Sequence, residues 1–520
     1  MNIIVSVGGS GAICVDVLHY LAYAGLLHEG DYQVLIMDND WDCHSNTTCM
    51  SHLIQYKPIT EKFKKPVVVS YHRGLFGRKD LEEIPLFGAR FTIKDKIMGE
   101  AVKELAGVDG QTNCASAINR DKKEINEILL NMVLSNDEKM KSLKDGFNGH
   151  PSLGTALFDS VKETNSYNSS LLGIISTALK GGDNVRVFLV GSIFGGTGAA
   201  LFPNIARNIR EKFQGYGKLF ISGALLLPFF SFPDNPNRDT QSSMDINARD
   251  FFKKSKTAID YYMTQRDLVR NNANSRSKEE SYIFDSLYLM GKSPLTQTCD
   301  HYAPGGGGQA HTYHVVHLYA ALAACEFFNG KDGRQEGNQI YVPWISKDPS
   351  DIDVELNNLP SIARKRLHSF ARFSVFMLEA FSPLVHSRIE DLKGLPLFKH
   401  IYSEAHGQAE LNEADLRILR NYVEAVCERC TAFFSFCSSV CLLDLFPSEE
   451  VAGYAEGKIT NDRDRELDLY LGIDKSGPYT PNNILKNMYS DKDLKKVGRN
   501  FSGDEGPRAI IDVIYGYCKC

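Results

Sequence analysis

The chain lacks any uninterrupted apolar run approaching the roughly 20 residues that cross a bilayer as a helix. The apolar stretch Leu225 to Phe230 is far shorter and reads as a buried strand, so no membrane partner is expected. A basic excess is also missing. The formal net charge is −6 with 23% charged residues, which argues against a nucleic-acid-binding protein as a whole. Lys62, Lys64 and Lys65 form the only early basic cluster, and a solvated face accounts for it. The N-terminal MNIIVSVGG has no basic leader segment and reads directly as a strand and turn. The 12 cysteines follow no regular framework. Without an export signal they are expected to be reduced thiols in a cytoplasmic protein. Neither a Walker A loop nor a G-x-S-x-G elbow occurs, and no internal repeat is evident.

The most informative stretch is Val185 to Ala206, VRVFLVGSIFGGTGAALFPNIA. An apolar strand, Val187 to Val190, enters the glycine-rich turn Gly191 to Gly198, and a helical segment follows. Strand, glycine turn and helix together gather backbone N–H groups where a phosphate can be held. An ordinary strand-to-helix turn gives the same pattern, so the rest of the chain must decide between them.

The N-terminus repeats the arrangement. Ile3 to Val7 reads as a strand, Gly8-Gly9-Ser10-Gly11-Ala12 as a turn, and Ile13 to Leu27 as a helix. Tyr32 to Met37 is a second strand ending in Asp38-Asn39-Asp40. This βαβ unit also fits a dinucleotide fold, with an acidic residue at the second strand's tip. The third glycine of G-x-G-x-x-G is absent, however, since Cys14 stands in its place.

Residues 41–144 read as a partly helical elaboration, with a short strand at Pro66 to Ser70 and the clearest amphipathic helix at Glu124 to Leu134. Asp145 to Gly154 is a loop and Thr155 to Leu179 a helix. After the central stretch come a strand at Leu219 to Leu227, a proline-rich loop to Thr240, a helix at Asn247 to Tyr262, a polar segment at Arg266 to Glu280, a strand at Tyr282 to Met290, and an apolar helix at His314 to Phe328. Alternating strands and helices imply a mostly parallel sheet covered on both faces. The pattern changes near Gly330 to Asp353. Beyond it lie long helical segments, Ser361 to Asp391 and Glu413 to Asp444. The expected fold class is therefore α/β. A Rossmann-like, mostly parallel nucleotide-binding domain spans 1–330, and a mainly α-helical C-terminal domain spans 354–520.

Two constellations suggest metals. Cys427, Cys430, Cys437 and Cys441 have spacings that a structural zinc site uses. Their stretch reads as one apolar helix, along whose face thiols act as small hydrophobes, and one straight helix cannot wrap four ligands around an ion. His311, His314 and His317 are at helical spacing without the glutamate of H-E-x-x-H. They read as pocket or core residues.

The loops, taken in order, resemble those of the tubulin/FtsZ superfamily. VSVGGSGAICV (Val5 to Val15) resembles its first phosphate loop. Asp38-Asn39-Asp40 falls where its second loop lies. DGFNGHPSLGTA (Asp145 to Ala156) is similar to its third loop. Leu179 to Ala206 resembles its fourth, whose signature is G-G-G-T-G-T-G. LLLPFFSFPDNPNR (Leu225 to Arg238) resembles the strand and fifth loop near the ribose. The likeness is closer to divergent bacterial tubulin-like proteins than to tubulins proper or the division protein.

The resemblance implies GTP or GDP as ligand, with Mg²⁺. It places the phosphates on Gly8, Gly9, Ser10, Gly11 and Ala12, with Asp38, Asn39, Asp40, Gly149, His150, Gly195, Gly196, Thr197 and Gly198 around them. Arg238 would lie near the ribose and Tyr313 near the base, and Asp38 or Asp40 near Mg²⁺. A solvated strand-end turn is the plainer reading of the two aspartates. The resemblance also implies self-association, often into filaments.

Three departures stand out. Phe194, Ala199 and Ala200 replace signature residues, Ile13 replaces a purine-contacting amide, and no N-x-D-x-x-D/E motif follows the apolar helix in NGKDGRQEGNQ. The catalytic group is therefore not identified and hydrolysis is left open. Two other readings are a non-polymerising nucleotide sensor that holds a protein partner through its C-terminal domain, and an NAD(P)-dependent oxidoreductase.

Overall fold

The computed structural model describes residues 1–40, 42–62, 86–106, 113–118, 124–142, 146–147, 149–231, 250–271, 283–291, 297–298, 312–330, 340–341, 361–399, 411–440 and 505–518. The chain divides into two compact units. One comprises Met1–Leu18, Asp31–Ile54 and Phe91–Ile352; the other comprises His19–Gly30, Gln55–Arg90 and Asp353–Cys520.

The first unit is built on β1 (Asn2–Val7), α1 (Gly8–Tyr23), β2 (Gly30–Met37), α2 (His44–Lys62) and β3 (Ala89–Lys94). Then come α3 (Ile97–Ala106), α4 (Cys114–Ile118), α5 (Glu124–Val133), α6 (Asn136–Met140), α7 (Pro151–Val161), α8 (Asn165–Tyr167) and α9 (Gly173–Lys180). The central stretch forms β4 (Val185–Ser192) and α10 (Gly196–Lys212). After it lie β5 (Leu219–Leu226), β6 (Phe230–Ser231), α11 (Phe251–Asn271), β7 (Ser286–Met290), β8 (Gln297–Thr298), α12 (Val315–Asn329) and β9 (Ile340–Tyr341).

A seven-stranded sheet has the order β3-β2-β1-β4-β5-β7-β9, and β6 pairs with β8 separately. The pairs β1–β2, β1–β4, β4–β5, β5–β7 and β7–β9 are all parallel. This is the expected α/β class. All of β5 is buried, as is β1 from Ile3 onward. Strands covered on both faces read as near-continuous apolar runs, which is why the sequence shows them so clearly.

Helices cover the two faces from opposite sides. Gly223 on β5 is paired with Leu189 and lies against the Phe202 ring of α10. The alternate residue Phe188 meets Phe327 and Phe328 of α12 at ring-centroid distances of 5.7 and 6.1 Å. Arg186 on the same β4 face donates to the Phe328 and Gly330 carbonyls, each at 2.7 Å. It thereby satisfies acceptors that the end of α12 leaves open.

Several elements differ from the sequence reading. α1 begins at Gly8 rather than Ile13, so the glycines of the first turn are already helical. The single helix expected over Thr155 to Leu179 is interrupted. It ends at Val161, restarts with Thr164 as its cap, and passes through a π turn at Asn168–Leu172 before α9. A threonine side chain accepting from the Tyr167 N–H competes with continued helix there. The elaboration also contributes an edge strand, β3, that the sequence did not suggest. α11 continues to Asn271, into the segment read as polar loop. The strand at Pro66 to Ser70 lies outside the described residues.

In the second unit the C-terminal helices are α13 (Ser361–Val375), a π turn at Phe376–Phe381, α14 (Ser382–Val385), α15 (Ile389–Gly394), α16 (Glu413–Ser439) and α17 (Glu505–Cys518). Phe370 packs edge-on against Phe433 at 4.8 Å, and Phe373 against Tyr515 at 5.6 Å. Cys430 and Cys437 are buried on the continuous α16, and burial raises both thiols above their ordinary range. Among the described residues no cluster of three or more His, Cys, Asp or Glu side chains is placed to hold a metal. Cys441 lies outside them. No described helix is long and apolar enough to cross a membrane.

Candidate functional site

Four loops meet at the carboxyl ends of β1, β2 and β4, where a parallel sheet places ligands. Gly8 leaves β1 with φ +74°, a left-handed conformation that favours glycine. A methyl carried on its Cα would lie 3.4 Å from Thr197 Cβ, so the first and fourth loops touch. Thr197 Oγ1 in turn donates to Asp38 Oδ1 at 3.3 Å, joining the fourth loop to the second. A methyl on Gly146 would lie 3.4 Å from Asp40 Cβ, and one on Gly196 would lie 2.9 Å from Gly149 N. The third loop thus abuts both the second and the fourth.

This arrangement turns three helix N-termini toward one place. α1 starts at Gly8, α7 follows its cap His150, and α10 follows its cap Gly195. Neither His150 nor Gly195 supplies a side-chain cap, so first-turn N–H groups are left for another acceptor. Gly198 sits in this first turn, directly over the backbone of Ser192. A side chain there would strike the Ser192 oxygen and come within 2.8 Å of its nitrogen. Ser10, Gly11 and Ala12 belong to the first turn of α1 beside Gly9, and Ala12 is fully buried.

The second loop is held by a residue the sequence reading missed. Asn46, 1% exposed on α2, donates from Nδ2 to Asp38 Oδ2 at 3.1 Å and to the Asp40 carbonyl at 2.9 Å. The Asp40 N–H donates to Asp38 Oδ1 at 3.2 Å. Asp38, Asn39 and Asp40 are all buried, which corrects the picture of a solvated turn. Burial, reinforced by the neighbouring Asp40 charge, pushes the Asp38 carboxyl up to about 7 against the opposing hydrogen bonds from Asn46, Asp40 N–H and Thr197. Asn46 Oδ1 is a buried acceptor with no donor. The Asp38 carboxylate and the Thr197 hydroxyl therefore meet at one spot, oxygens of the hard kind that suits Mg²⁺.

The remaining candidates lie around this centre. His150 is paired through Nδ1 with Glu138 Oε1 at 3.0 Å. Burial alone would raise Glu138, but hydrogen bonds from the Ser135 N–H, the Ser135 hydroxyl and His150 hold it below its ordinary value. Tyr313 Oη donates to Asp16 Oδ2 at 2.6 Å, and His52 Nδ1 lies 2.9 Å from Asp16 Oδ1. Tyr313 therefore sits along α1, eight residues and about 12 Å beyond Gly8. His314 and His317 are used locally. His314 Nδ1 accepts from Val316 N–H, His317 Nδ1 accepts from His314 N–H, and Phe229 stacks on His314 at 4.7 Å. Arg238 and His311 lie outside the described residues.

Phe194, which replaces the first signature glycine, is 5% exposed and packs on Phe251 of α11 at 5.0 Å. Lys254 of the same helix reaches the third loop, its Nζ donating to the Gly149 carbonyl at 3.4 Å. Neither Asn46 nor Lys254 carries a local sequence signal that ties it to the loops; both arrive through space.

Residues 147–302 match a family model described as tubulin like. That span contains the third and fourth loops together with α10 and α11. No curated protein and no solved structure matches the chain.

Proposed function

We propose, for a chain whose residues 147–302 match a tubulin-like family model, that the four-loop cradle binds a guanine nucleotide together with Mg²⁺. The carrying observation is the convergence of Gly8, Asp38, Gly149 and Thr197 beside three helix N-termini. Uncapped N–H groups and helix dipoles favour a polyanion, and glycines admit it to close backbone contact. Gly8 to Ala12 and Gly195 to Gly198 would hold the phosphates. The metal would be held by Asp38 and its neighbour Asp40, with the Thr197 hydroxyl beside it. Bound there, Mg²⁺ would neutralise phosphate charge and polarise the terminal phosphoryl group. Asn46 keeps Asp38 aimed.

Self-assembly is part of the proposal on the strength of the tubulin-like match, and a head-to-tail contact whose rotation does not close would give a filament. A second reading, a non-polymerising sensor that binds a protein through its C-terminal helices, rests on the missing acidic motif after α12. Electron microscopy with GTP, GDP and ATP separates the two. Filaments confined to a triphosphate support assembly, whereas a constant monomer or dimer that retains nucleotide supports the sensor.

The test of the binding site is the nucleotide released by acid from the purified chain. A guanine nucleotide is expected, and joint replacement of Gly196 and Thr197 by valine should remove it. Full occupancy in that double variant overturns the assignment. A thermal shift given by NAD(P) and not by guanine nucleotides would replace it with the oxidoreductase reading.

A further inference from the structure

The inner face of α11 lies against the cradle, yet none of its residues belongs to the four loops. Phe251 packs on Phe194 of the fourth loop, Lys254 reaches Gly149 of the third, and Tyr262 Oη donates to the Ala199 carbonyl of α10. Positions 251, 254, 255, 258 and 262 fall on one side of a helix. Ser255 shares that side. It is 4% exposed, and its Oγ has no hydrogen-bond partner.

Lys254 is part-buried, and its hydrogen bond to the Gly149 carbonyl is a long one to a neutral acceptor. Among the described residues this ammonium meets only that neutral acceptor and forms no ion pair. The Gly149 backbone that it touches is the segment abutting Gly196 at the start of α10. A cation therefore stands where the third and fourth loops meet, and the buried, unpartnered Ser255 hydroxyl follows it at the next position of the same helix.

We propose that α11 reads the terminal phosphate of a nucleoside triphosphate, with the Lys254 ammonium as its direct ligand and the Ser255 hydroxyl as a supporting donor. The inference rests on the nucleotide reading above and adds a discrimination to it. A diphosphate leaves Lys254 on Gly149, whereas a triphosphate draws it across to the γ-phosphoryl oxygens. The ammonium supplies a compact point charge for that group. The shift releases the third loop and is felt along α11, so phosphate number is sensed within one chain. No bond is made or broken in this step.

The experiment is isothermal titration of the full-length chain, stripped of nucleotide, with GTPγS and with GDP in the presence of Mg²⁺. In Lys254→Met, affinity for GTPγS is expected to fall about tenfold, the scale of one lost charged hydrogen bond, while GDP affinity stays within about twofold. Lys254→Arg should restore most of the preference because it keeps the charge. GDP binding serves as the control for folding. Should Lys254→Met leave the GTPγS-to-GDP ratio unchanged, or weaken both ligands alike, Lys254 is a brace for the third loop and the inference fails, with the nucleotide reading intact. Should the wild-type chain bind neither ligand, both fall together.

Discussion

Gly198→Val is expected to abolish nucleotide retention and to cost the fold about 2–3 kcal/mol, the upper range for overpacking a close-packed site. The side chain would be driven into the oxygen, nitrogen and carbonyl carbon of Ser192. These are backbone atoms at the end of β4, whose Ser192 is registered against Leu226 of β5. They cannot rotate aside as a side chain would, so either α10 lifts or β4 shifts, and both moves dismantle the phosphate cradle. Gly217→Ala is the matched control, because nothing lies within 4 Å of the added methyl. Nucleotide released by acid and hydrogen exchange of the β4 amides would be measured on both variants. A Gly198→Val chain that keeps its ligand and its β4 protection would contradict the close approach described.

Asp38→Asn should have opposite effects on stability and binding. The folded-state carboxyl titrates near 7, raised from 3.8 chiefly by burial and further by the Asp40 charge. Between about pH 4 and 7 the unfolded chain has released this proton while the folded chain still holds it. The folded state binds more protons, so rising pH lowers stability across that window and has no further effect above it. The integrated loss is on the order of 4 kcal/mol. D38N removes the titrating group. In ligand-free protein its stability relative to wild type should therefore climb from pH 4 to 7 and then level off. Chemical denaturation at a series of pH values checks this; a flat difference curve would mean that Asp38 is ionised throughout. At pH 8 the same variant, though more stable, should lose Mg²⁺-dependent nucleotide binding.

Much of the first unit is written in local patterns. Strands buried on both faces read as apolar runs, and the glycines at their ends mark the sharp entry into helices. That is why β1, β2, β4 and β5 and the four loops appear in order in the sequence. The start of α1 misleads because glycine has low helix propensity. Gly9 to Gly11 are nevertheless helical, since tertiary contacts rather than propensity select them. A methyl on Gly11, for example, would sit 2.6 Å from the Val190 carbonyl oxygen. The break after Val161 was signalled by Thr164, a capping residue within an otherwise helical pattern.

Asn46, Lys254 and Ser255 were not legible. Periodicity tells which face of a helix is covered, not which atoms cover it, and these side chains matter only through residues distant in sequence. The same limit explains the second unit. Nothing in residues 19–30 or 55–90 indicates that they cluster with residues beyond 352.

The order of strands bears on how this protein can be cut. The tubulin-like match begins at residue 147, whereas β1 lies beside β4 and pairs with it from Asn2–Arg186 to Val7–Gly191. A fragment expressed from the start of that match would carry the third and fourth loops but leave one side of β4 without its neighbour. The exposed row of backbone donors and acceptors, flanked by Val187 and Leu189, would invite edge-to-edge association. Aggregates of such a fragment would then mimic polymerisation while arising from an unpaired strand, so assays of assembly call for the chain from Met1.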